Sequence, residues 1–441
     1  MTQGLAKETI YSNLFRERLA ENQPVWLKIL RETAFERFAQ LGFPTPRQED
    51  WKYTNLALLT RAFTEPRAAE TSGLTAEQFA PLAYEEAAAS RLVFVNGHYR
   101  ADLSSVEALP AGVAVLTWGE VWQSEYADIV KEHLARGADY QEHALTALNT
   151  ALFDGGAFIY VPQEVKVDAP IHLAFVASEP EAQSVTHPRL LVVMERGSAA
   201  TLIESYARAG ESVYFTNAVV EIALADEAQL THYKVQRESQ NAFHIATTHA
   251  ALQRGSRYDT TTITLGAQLS RHDANVVFHS TGAECFIDGL YLVGGQQHTD
   301  THSLISHRVP HCASHQTYKG ILDGTSRAVF NGKVYVHEHA NGTDAQQTNK
   351  NMLLSNTARV DTKPQLEIYN DDVKCAHGAT VGQMEEEELF YLLSRGLHPD
   401  LARNLLTYGF AEEIINKIGI PSIKTQLDEA VLNRLQAKLE V

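Results

Sequence analysis

One cysteine and one histidine, Cys375 and His377, are the residues of this sequence whose types and spacing best suit chemistry. A deprotonated cysteine and a neutral imidazole are ligands that iron, zinc and iron–sulfur units accept. Side chains two residues apart in an extended strand lie on the same face, so both could reach one metal or cluster. Two ligands complete only half of a tetrahedral site. The sequence therefore predicts a partial metal or cofactor site at Cys375 and His377.

A purely structural role is the alternative for this pair, because free cysteines are often buried and histidines often sit hydrogen-bonded in cores. Residues Leu366–His377 are predicted to form one strand, which would also place Asp371 on the face of the pair. Gly378 and Gly382 follow, and the acidic residues before the cysteine are more polar than a core strand requires. This context favours the ligand role over the structural one.

Composition and charge disfavour several classes of protein. The 441 residues include 37 Lys and Arg against 54 Asp and Glu, a formal net charge of −17, which disfavours non-specific binding to nucleic acid or anionic membranes. Three widely spaced cysteines argue against a disulfide framework and favour a reducing compartment. The first residues lack the apolar run of a signal peptide, and no apolar stretch approaches the roughly 18 residues of a membrane span. We therefore expect a cytoplasmic protein with neither nucleic acid nor membrane as a partner.

Outside the Cys375 and His377 pair, the sequence lacks a nucleotide-binding motif and offers one further candidate metal site. No phosphate-binding loop of the Gly-x-x-x-x-Gly-Lys-Ser/Thr type occurs, so we expect the chain itself to bind no nucleotide. A run of histidines could form a metal tract, although at strand spacing its members divide between two faces. The run comprises His298, His302, His307, His311 and His315.

Isolated aspartates offer an enzymatic alternative. A carbohydrate-cleaving enzyme needs two carboxylates that face each other across a groove. Asp288, Asp300 and Asp323 are candidates, but they lie near predicted turns, where aspartate commonly makes local hydrogen bonds. We therefore expect that the chain is not an enzyme.

The elements around the candidate pair divide the chain into three regions. Residues 1–155 are predicted to be α-rich, with apolar residues at helical spacing over Lys7–Gln40 and Trp118–Phe153, the latter with one break at Gly137. Arg91–Tyr99 is predicted to be a hairpin with an Asn-Gly turn. The Glu-rich passage Ala68–Ser90 is predicted to be surface or linker.

Residues 156–382 show the period-two alternation of β-strands, and residues 383–441 return to helical spacing. Turns at Gly197, Asp226, Gly255 and Gly282 recur roughly 28 residues apart. Hairpin signals are sparse between them, which favours a parallel β-helix over a sandwich. The predicted fold is mainly β, a parallel β-helix core flanked by α-helical N- and C-terminal parts.

The stretch Asn349–Gly396 resembles the C-terminal signature of the SufB/SufD family of iron–sulfur cluster assembly proteins. The resemblance extends to Arg327–Lys333 (RAVFNGK) and Ala147–Pro162 (ALNTALFDGGAFIYVP) and covers most of the chain. The Trp-Lys-Tyr-Thr box within Glu49–Leu56 and the low cysteine count resemble the SufD branch. So does CAHGATVG, with glycine directly after the histidine.

This resemblance implies a right-handed parallel β-helix that serves as a scaffold subunit of a SufBCD complex. Its partners would be a SufB-type subunit and a SufC-type ATPase, with a homodimer when the chain is alone. Cys375 and His377 would lie at the pairing interface, where a transient iron–sulfur cluster, or iron shared with the partner subunit, is held and iron entry is aided. The helices after Glu385 would dock the ATPase. The alternative is a catalytically silent partner that only stabilises the SufB-type subunit.

Overall fold

The computed structural model describes residues 8–71, 73–179 and 181–436 and is mainly β, with 39% strand and 25% helix. A parallel β-solenoid of about 8 turns is flanked by N- and C-terminal helices, which confirms the predicted fold class. Lys7, where the first predicted helical stretch begins, and the outer ends of the first and third predicted regions lie outside the described residues.

Short helices and strands make up the N-terminal part. The helices are α1 (Ser12–Ala20), α2 (Val25–Leu41), α3 (Ala57–Ala62), α4 (Ala76–Phe79), α5 (Trp118–Val121), α6 (Ala127–His133) and α7 (Ala144–Leu152). The strands are β1 (Arg67–Ala68), β2 (Arg91–Val95), β3 (His98–Tyr99) and β4 (Ala114–Thr117). The antiparallel pairing of β2 with β3 confirms the predicted hairpin.

Two predictions about this part are only partly right. The predicted break at Gly137 is present between α6 and α7, but a second break, between α5 and α6, was not predicted, so the stretch Trp118–Phe153 is three helices. The backbone N–H groups of residues 135, 137 and 138 donate to the buried carboxylate of Glu221 instead of continuing a helix. The passage Ala68–Ser90 is mostly exposed, as the surface alternative predicts, but it is not a linker, because Phe79 and Tyr84 are buried and anchor it to the body of the protein.

The solenoid begins after α7, and most of its coils contribute one strand to each of two sheets. Its strands are β5 (Gly156–Val161), β6 (Ile171–Ser178), β7 (Ser184–Thr186), β8 (Arg189–Met194), β9 (Ala199–Ala209), β10 (Phe215–Leu224), β11 (Gln229–Arg237), β12 (Phe243–Leu252), β13 (Arg257–Thr264), β14 (Leu269–Phe278), β15 (Glu284–Val293), β16 (His298–His307), β17 (Ala313–Leu322), β18 (Arg327–Val336), β19 (Thr343–Leu353), β20 (Arg359–Ile368) and β21 (Val373–Gly382).

Even-numbered strands from β8 to β20 stack in one sheet, and odd-numbered strands from β9 to β21 stack in the other. Successive coils pair in parallel and in register, so alternate side chains form continuous columns that point into the interior. The four predicted turns all fall between consecutive strands, which confirms the repeat. Each coil therefore places its residues directly above their register partners on the coil before it.

The predicted strand Leu366–His377 is wrong as a single element. Strand β20 ends at Ile368 and β21 begins at Val373, and the two strands belong to different sheets. The Asn370 side chain donates to the carbonyl oxygen of Glu338 at 2.6 Å and accepts from the backbone N–H of Asp372 at 2.9 Å. These bonds stabilise a corner. Asp371 therefore lies in this corner and not on the strand of Cys375.

Three helices close the chain: α8 (Glu386–Ser394), α9 (Pro399–Ile415) and α10 (Pro421–Gln436). Ile414 and Ile415 of α9 pack with Ile423 and Leu427 of α10 in one buried cluster. The same cluster includes Ile321 of β17 from the outer face of the solenoid. The C-terminal end of α9 and the buried face of α10 therefore fasten the helices to the solenoid.

Candidate functional site

The candidate ligands Cys375 and His377 both lie on β21, in the terminal coil of the solenoid. Within the described part of the chain, β21 forms its sheet pairing with β19 alone, so its other edge carries no strand. Cys375 and His377 are separated by one residue in this strand, which places them on the same face. The structure thus brings both candidate residues together at the open end of the solenoid.

Cys375 is half-buried and packs against the interior core. Burial raises the pKa of its thiol, and the backbone of Ala345 on the preceding coil opposes that rise. The column beneath it consists of Ala345, Ser314 and Cys285. Cys285 and Cys312 are fully buried, and burial raises the pKa of both thiols. Cys375 is therefore the cysteine that an outside metal or partner can reach.

His377 is exposed, and among the described residues its ring has no hydrogen-bond partner. Its register partner on the preceding coil is Gln347 of β19. Gln347 is 2% exposed and its Nε2 donates to Oε1 of Gln316, one coil further in, at 2.7 Å. An exposed imidazole without a partner is available to a ligand and is not a satisfied core histidine.

Gln347 was not identified from the sequence as part of the site. The available signal was the alternation in β19, where the inward positions are Thr343, Ala345, Gln347, Asn349 and Asn351. Amide side chains at inward positions of a β-strand must find hydrogen bonds, because burying an unpaired amide costs about 1–3 kcal/mol. The polar lining of this coil could have been recognised, but its register with His377 could not.

The histidine run from His298 to His315 is dispersed. His298 bonds to Thr54 at 2.8 Å, His302 pairs with Asp300 at 3.1 Å and His307 bonds to Ser314 at 2.8 Å. His315 stacks on Phe286, and His311 lies in a corner with a positive φ of 58°. Among the described residues, no three His, Cys, Asp or Glu side chains are grouped to hold a metal ion.

The aspartate candidates also lie apart. Asp288 is on β15 and Asp300 is on β16, so they belong to different sheets, and Asp323 follows β17 in a turn. Asp288 pairs with Lys417 at 2.7 Å. Burial acts to raise the pKa of Asp300, but the charge of Arg271, 2.9 Å away, outweighs it and holds that pKa well below its usual range. The arrangement does not supply the facing acid and base of a glycosidase.

The Trp-Lys-Tyr-Thr box packs on the outside of the solenoid close to its terminal coils. The guanidinium of Arg271 lies 3.9 Å from the centre of the Trp51 ring, and Thr54 donates to Asp300 at 2.5 Å. Lys363 of β20 pairs with Glu49 at 2.9 Å. The N-terminal region therefore braces the sheet that ends at β20, opposite the sheet that carries the candidate pair on β21.

Exposed apolar side chains occur at two places near the C-terminal end of the solenoid. Ile368, Tyr369 and Val381 are exposed on the terminal coil. Phe390 and Leu401 belong to a second group, on α8 and the first half of α9, which also includes Tyr391 and Leu405. Exposed apolar groups of this kind often mark sites of protein association. No helix in the described ranges has the length and apolarity needed to cross a membrane.

Comparison with known proteins identifies the family. The SufBD protein N-terminal region matches residues 5–173, and the SUF system FeS cluster assembly, SufBD core domain matches residues 175–410. An iron–sulfur cluster assembly SufBD family protein of Synechocystis sp. is 37% identical over 410 residues, covering 91% of this chain and 89% of the relative.

Two relatives are named iron–sulfur cluster assembly protein SufD. The Escherichia coli protein is 31% identical over 402 residues, which cover 91% of each chain. The Bacillus subtilis protein is 28% identical over 453 residues and covers 99% of this chain and 100% of the relative. The two family matches together span both the helical N-terminal part and the solenoid. The chain therefore belongs to the SufBD family of SUF-system iron–sulfur cluster assembly proteins.

Proposed function

We propose that this chain is a scaffold subunit of iron–sulfur cluster assembly that pairs with a SufB-type subunit and is joined by a SufC-type ATPase. The observation that carries the proposal is the position of Cys375 and His377 together on the open terminal coil. A half set of ligands at an unpaired edge suits a cluster that is built between two chains, because each chain then needs to supply only part of the coordination. The nascent cluster, or the iron that enters it, is the cargo of this site.

The chemistry at the site follows from the two side chains. The neutral imidazole of His377 can bind iron through an unprotonated nitrogen. The thiol of Cys375 binds as a thiolate, so iron must displace its proton. Burial raises the pKa of this thiol and therefore disfavours loss of the proton in the absence of a metal. The test is the iron and acid-labile sulfide content of the complex co-expressed with its two partners, with and without Cys375.

A silent structural role is the second candidate, and the same raised pKa of Cys375 supports it. In that case Cys375 is a packed thiol and the chain only stabilises the SufB-type subunit. Under either candidate we infer that the chain itself catalyses no reaction and binds no nucleotide. The three unpaired cysteines support a reducing, cytoplasmic location.

The terminal coil is the surface that we assign to the SufB-type subunit. Strand β21 presents a row of backbone N–H and C=O groups on its open side, and such an edge pairs readily with another strand. Val381 adds an exposed apolar side chain to the same strand, and Ile368 and Tyr369 add two more beside it. We infer a heterodimer through this coil, or a homodimer when the SufB-type subunit is missing.

Val381→Asp is expected to weaken pairing at least about tenfold in dissociation constant, since it would bury a charge in the proposed interface. Val213→Asp is the matched control, because Val213 and Val381 are both valines with 44% exposure and Val213 lies before β10, far along the solenoid. Sedimentation velocity at micromolar concentration measures both variants. A wild-type monomer, or equal pairing by the two variants, contradicts the assignment.

The apolar face of α8 and the first half of α9 is the surface that we assign to the ATPase. None of the α8 side chains is buried, and Phe390 is 71% exposed. The second half of α9 and the buried face of α10 already pack on the solenoid. An anchored helical unit with one uncovered apolar face is suited to receive a partner.

Leu401→Asp is expected to reduce the recovery of the SufC-type ATPase at least about tenfold, because it puts a charge into this apolar face. Leu432→Asp is the control, since Leu432 is also an exposed leucine but lies on α10. Pull-down with purified ATPase measures both. Undiminished binding to a chain that ends at Gly382 would refute this docking surface.

A further inference from the structure

A ladder of polar side chains runs along the interior of the last coils and ends below His377. Gln316 of β17 and Gln347 of β19 are register partners, and both are 2% exposed. Nε2 of Gln316 donates to Oγ of Ser303 at 2.8 Å, and Nε2 of Gln347 donates to Oε1 of Gln316 at 2.7 Å. The Gln347 amide thus donates to the amide of the coil before it, and Gln316 donates across the interior to Ser303 of β16 in the opposite sheet.

The last acceptor of this ladder is unused. Oε1 of Gln347 is buried and has no hydrogen-bond partner among the described residues. The carbonyl oxygens of the other two inward amides of β19 are engaged. Asn351 Oδ1 accepts from Tyr291, and Asn349 Oδ1 accepts from Asn351 at 2.6 Å and from Thr362 at 2.9 Å. A buried carbonyl oxygen is seldom left unpaired, so Gln347 is set apart from its neighbours.

The Gln347 amide is held in place from two sides. Its nitrogen is tied to Gln316, and a Cβ atom added to Gly332 on the opposite sheet would lie 2.2 Å from the same nitrogen. The amide therefore fills the space that the missing side chain of Gly332 leaves. With the nitrogen fixed toward the preceding coil, the oxygen is the part of the amide left for the next one.

The next member of the column is His377, the register partner of Gln347 on β21. A neutral imidazole carries one N–H donor and one nitrogen with a free lone pair. Oε1 of Gln347 lacks a hydrogen-bond donor, and the exposed ring of His377 is free to turn its N–H toward this oxygen.

We propose that Gln347 is the positioning residue of His377. Its Oε1 accepts the ring N–H, which fixes the orientation and the tautomer of the imidazole. The opposite ring nitrogen then keeps its lone pair and faces the outside of the terminal coil, where iron or a cluster arrives. Hydrogen bonds of this kind commonly orient metal-binding histidines. The inference rests on the proposed function in one respect, that His377 is a ligand.

Two variants of Gln347 isolate the acceptor. Gln347→Met and Gln347→Glu both remove the donor to Gln316, but only the methionine also removes the oxygen. Histidine-labelled protein reports the tautomer of His377 by nitrogen and carbon NMR, with His377→Ala assigning the signal. Wild type and Gln347→Glu are expected to show one dominant tautomer and Gln347→Met a mixture. Iron(II) affinity of the co-expressed complex is expected to fall roughly tenfold in Gln347→Met alone.

The outcomes distinguish the positioning role of Gln347 from the ligand role of His377. A mixed tautomer population in wild type, or the same tautomer in Gln347→Met as in wild type, overturns the positioning role, whether or not His377 binds iron. A changed tautomer in Gln347→Met supports it. If iron binding is then normal in both Gln347→Met and His377→Ala, the positioning role stands and the ligand role of His377 fails. The wild-type spectrum alone decides the case if Gln347→Met does not fold.

Discussion

Replacing His377 with alanine is expected to remove most of the iron and acid-labile sulfide from the complex co-expressed with the SufB-type and SufC-type partners. The free energy of unfolding of the chain is expected to fall by no more than about 1.5 kcal/mol, the net contribution of the one hydrogen bond proposed to Oε1 of Gln347. The ring is exposed and makes no hydrogen bond within the described chain, so little packing is lost. What is lost is a nitrogen ligand at the open edge.

His339→Ala is the matched control for this variant. His339 is also exposed and free of described hydrogen bonds, but it lies in the corner after β18 and not on β21. It should leave iron and sulfide unchanged. Cys375→Ser is expected to lower cluster content in the same direction as His377→Ala, with a larger cost in stability because the thiol packs on the core.

One result would exclude the ligand role of His377. A lowered thermal midpoint together with normal iron and sulfide on the surviving complex would mean that the residue supports the fold and not the cluster. The measurement is the thermal midpoint beside iron and sulfide per complex. The histidines from His298 to His315 would then be the next candidates, although most of them already have partners in the solenoid.

The repeating part of the fold could be predicted because a solenoid imposes simple rules on its sequence. Each coil needs alternating inward and outward side chains and a turn before the next strand, and residues such as Gly197 and Gly255 mark those turns with positive φ. The corner at Asn370 was missed for a physical reason. Its turn depends on a bond from the Asn370 side chain to the carbonyl of Glu338, one coil earlier, which local alternation does not encode.

The candidate site could be predicted only in part. The types and spacing of Cys375 and His377 indicate ligands locally, and the strand assignment places them on one face. The unpaired oxygen of Gln347 could not be predicted, because it depends on which residue of β19 stacks below His377 and on whether neighbouring amides are already bonded. The helix break at Gly137 was predicted from the sequence, although its acceptor, the distant Glu221, was not, and the break between α5 and α6 was missed.

Arg189→Met is expected to lower the free energy of unfolding by about 3–5 kcal/mol, because it leaves the carboxylate of Glu221 buried without its counter-charge. Arg189 is fully buried and ion-paired with Glu221. It also donates to the side chains of Asn149 and Thr150 of α7, each at 3.1 Å. Glu221 accepts three backbone N–H groups from the loop after α6 at 2.9–3.1 Å. One buried pair thus joins the N-terminal helices to the solenoid.

The pH dependence has a definite sign. Burial acts to raise the pKa of Glu221, but the charge of Arg189 and the backbone donors outweigh it, so the pKa lies below its usual value. A carboxyl with a lowered pKa in the folded state stabilises the fold above its unfolded pKa of about 4.3 and loses that contribution as the pH falls further. Wild type is therefore expected to lose stability below about pH 4.3 more steeply than Arg189→Met.

Denaturant unfolding of Arg189→Met beside Arg196→Met measures the effect. Arg196 pairs with Glu164 at 3.1 Å, but both side chains are at least half exposed, so this control should lose no more than about 1 kcal/mol. The double variant Arg189→Met with Glu221→Gln should recover part of the loss, because the buried charge is then removed as well. Equal losses for Arg189→Met and Arg196→Met would contradict this prediction, since burial would then not affect how much an ion pair contributes to the free energy of unfolding.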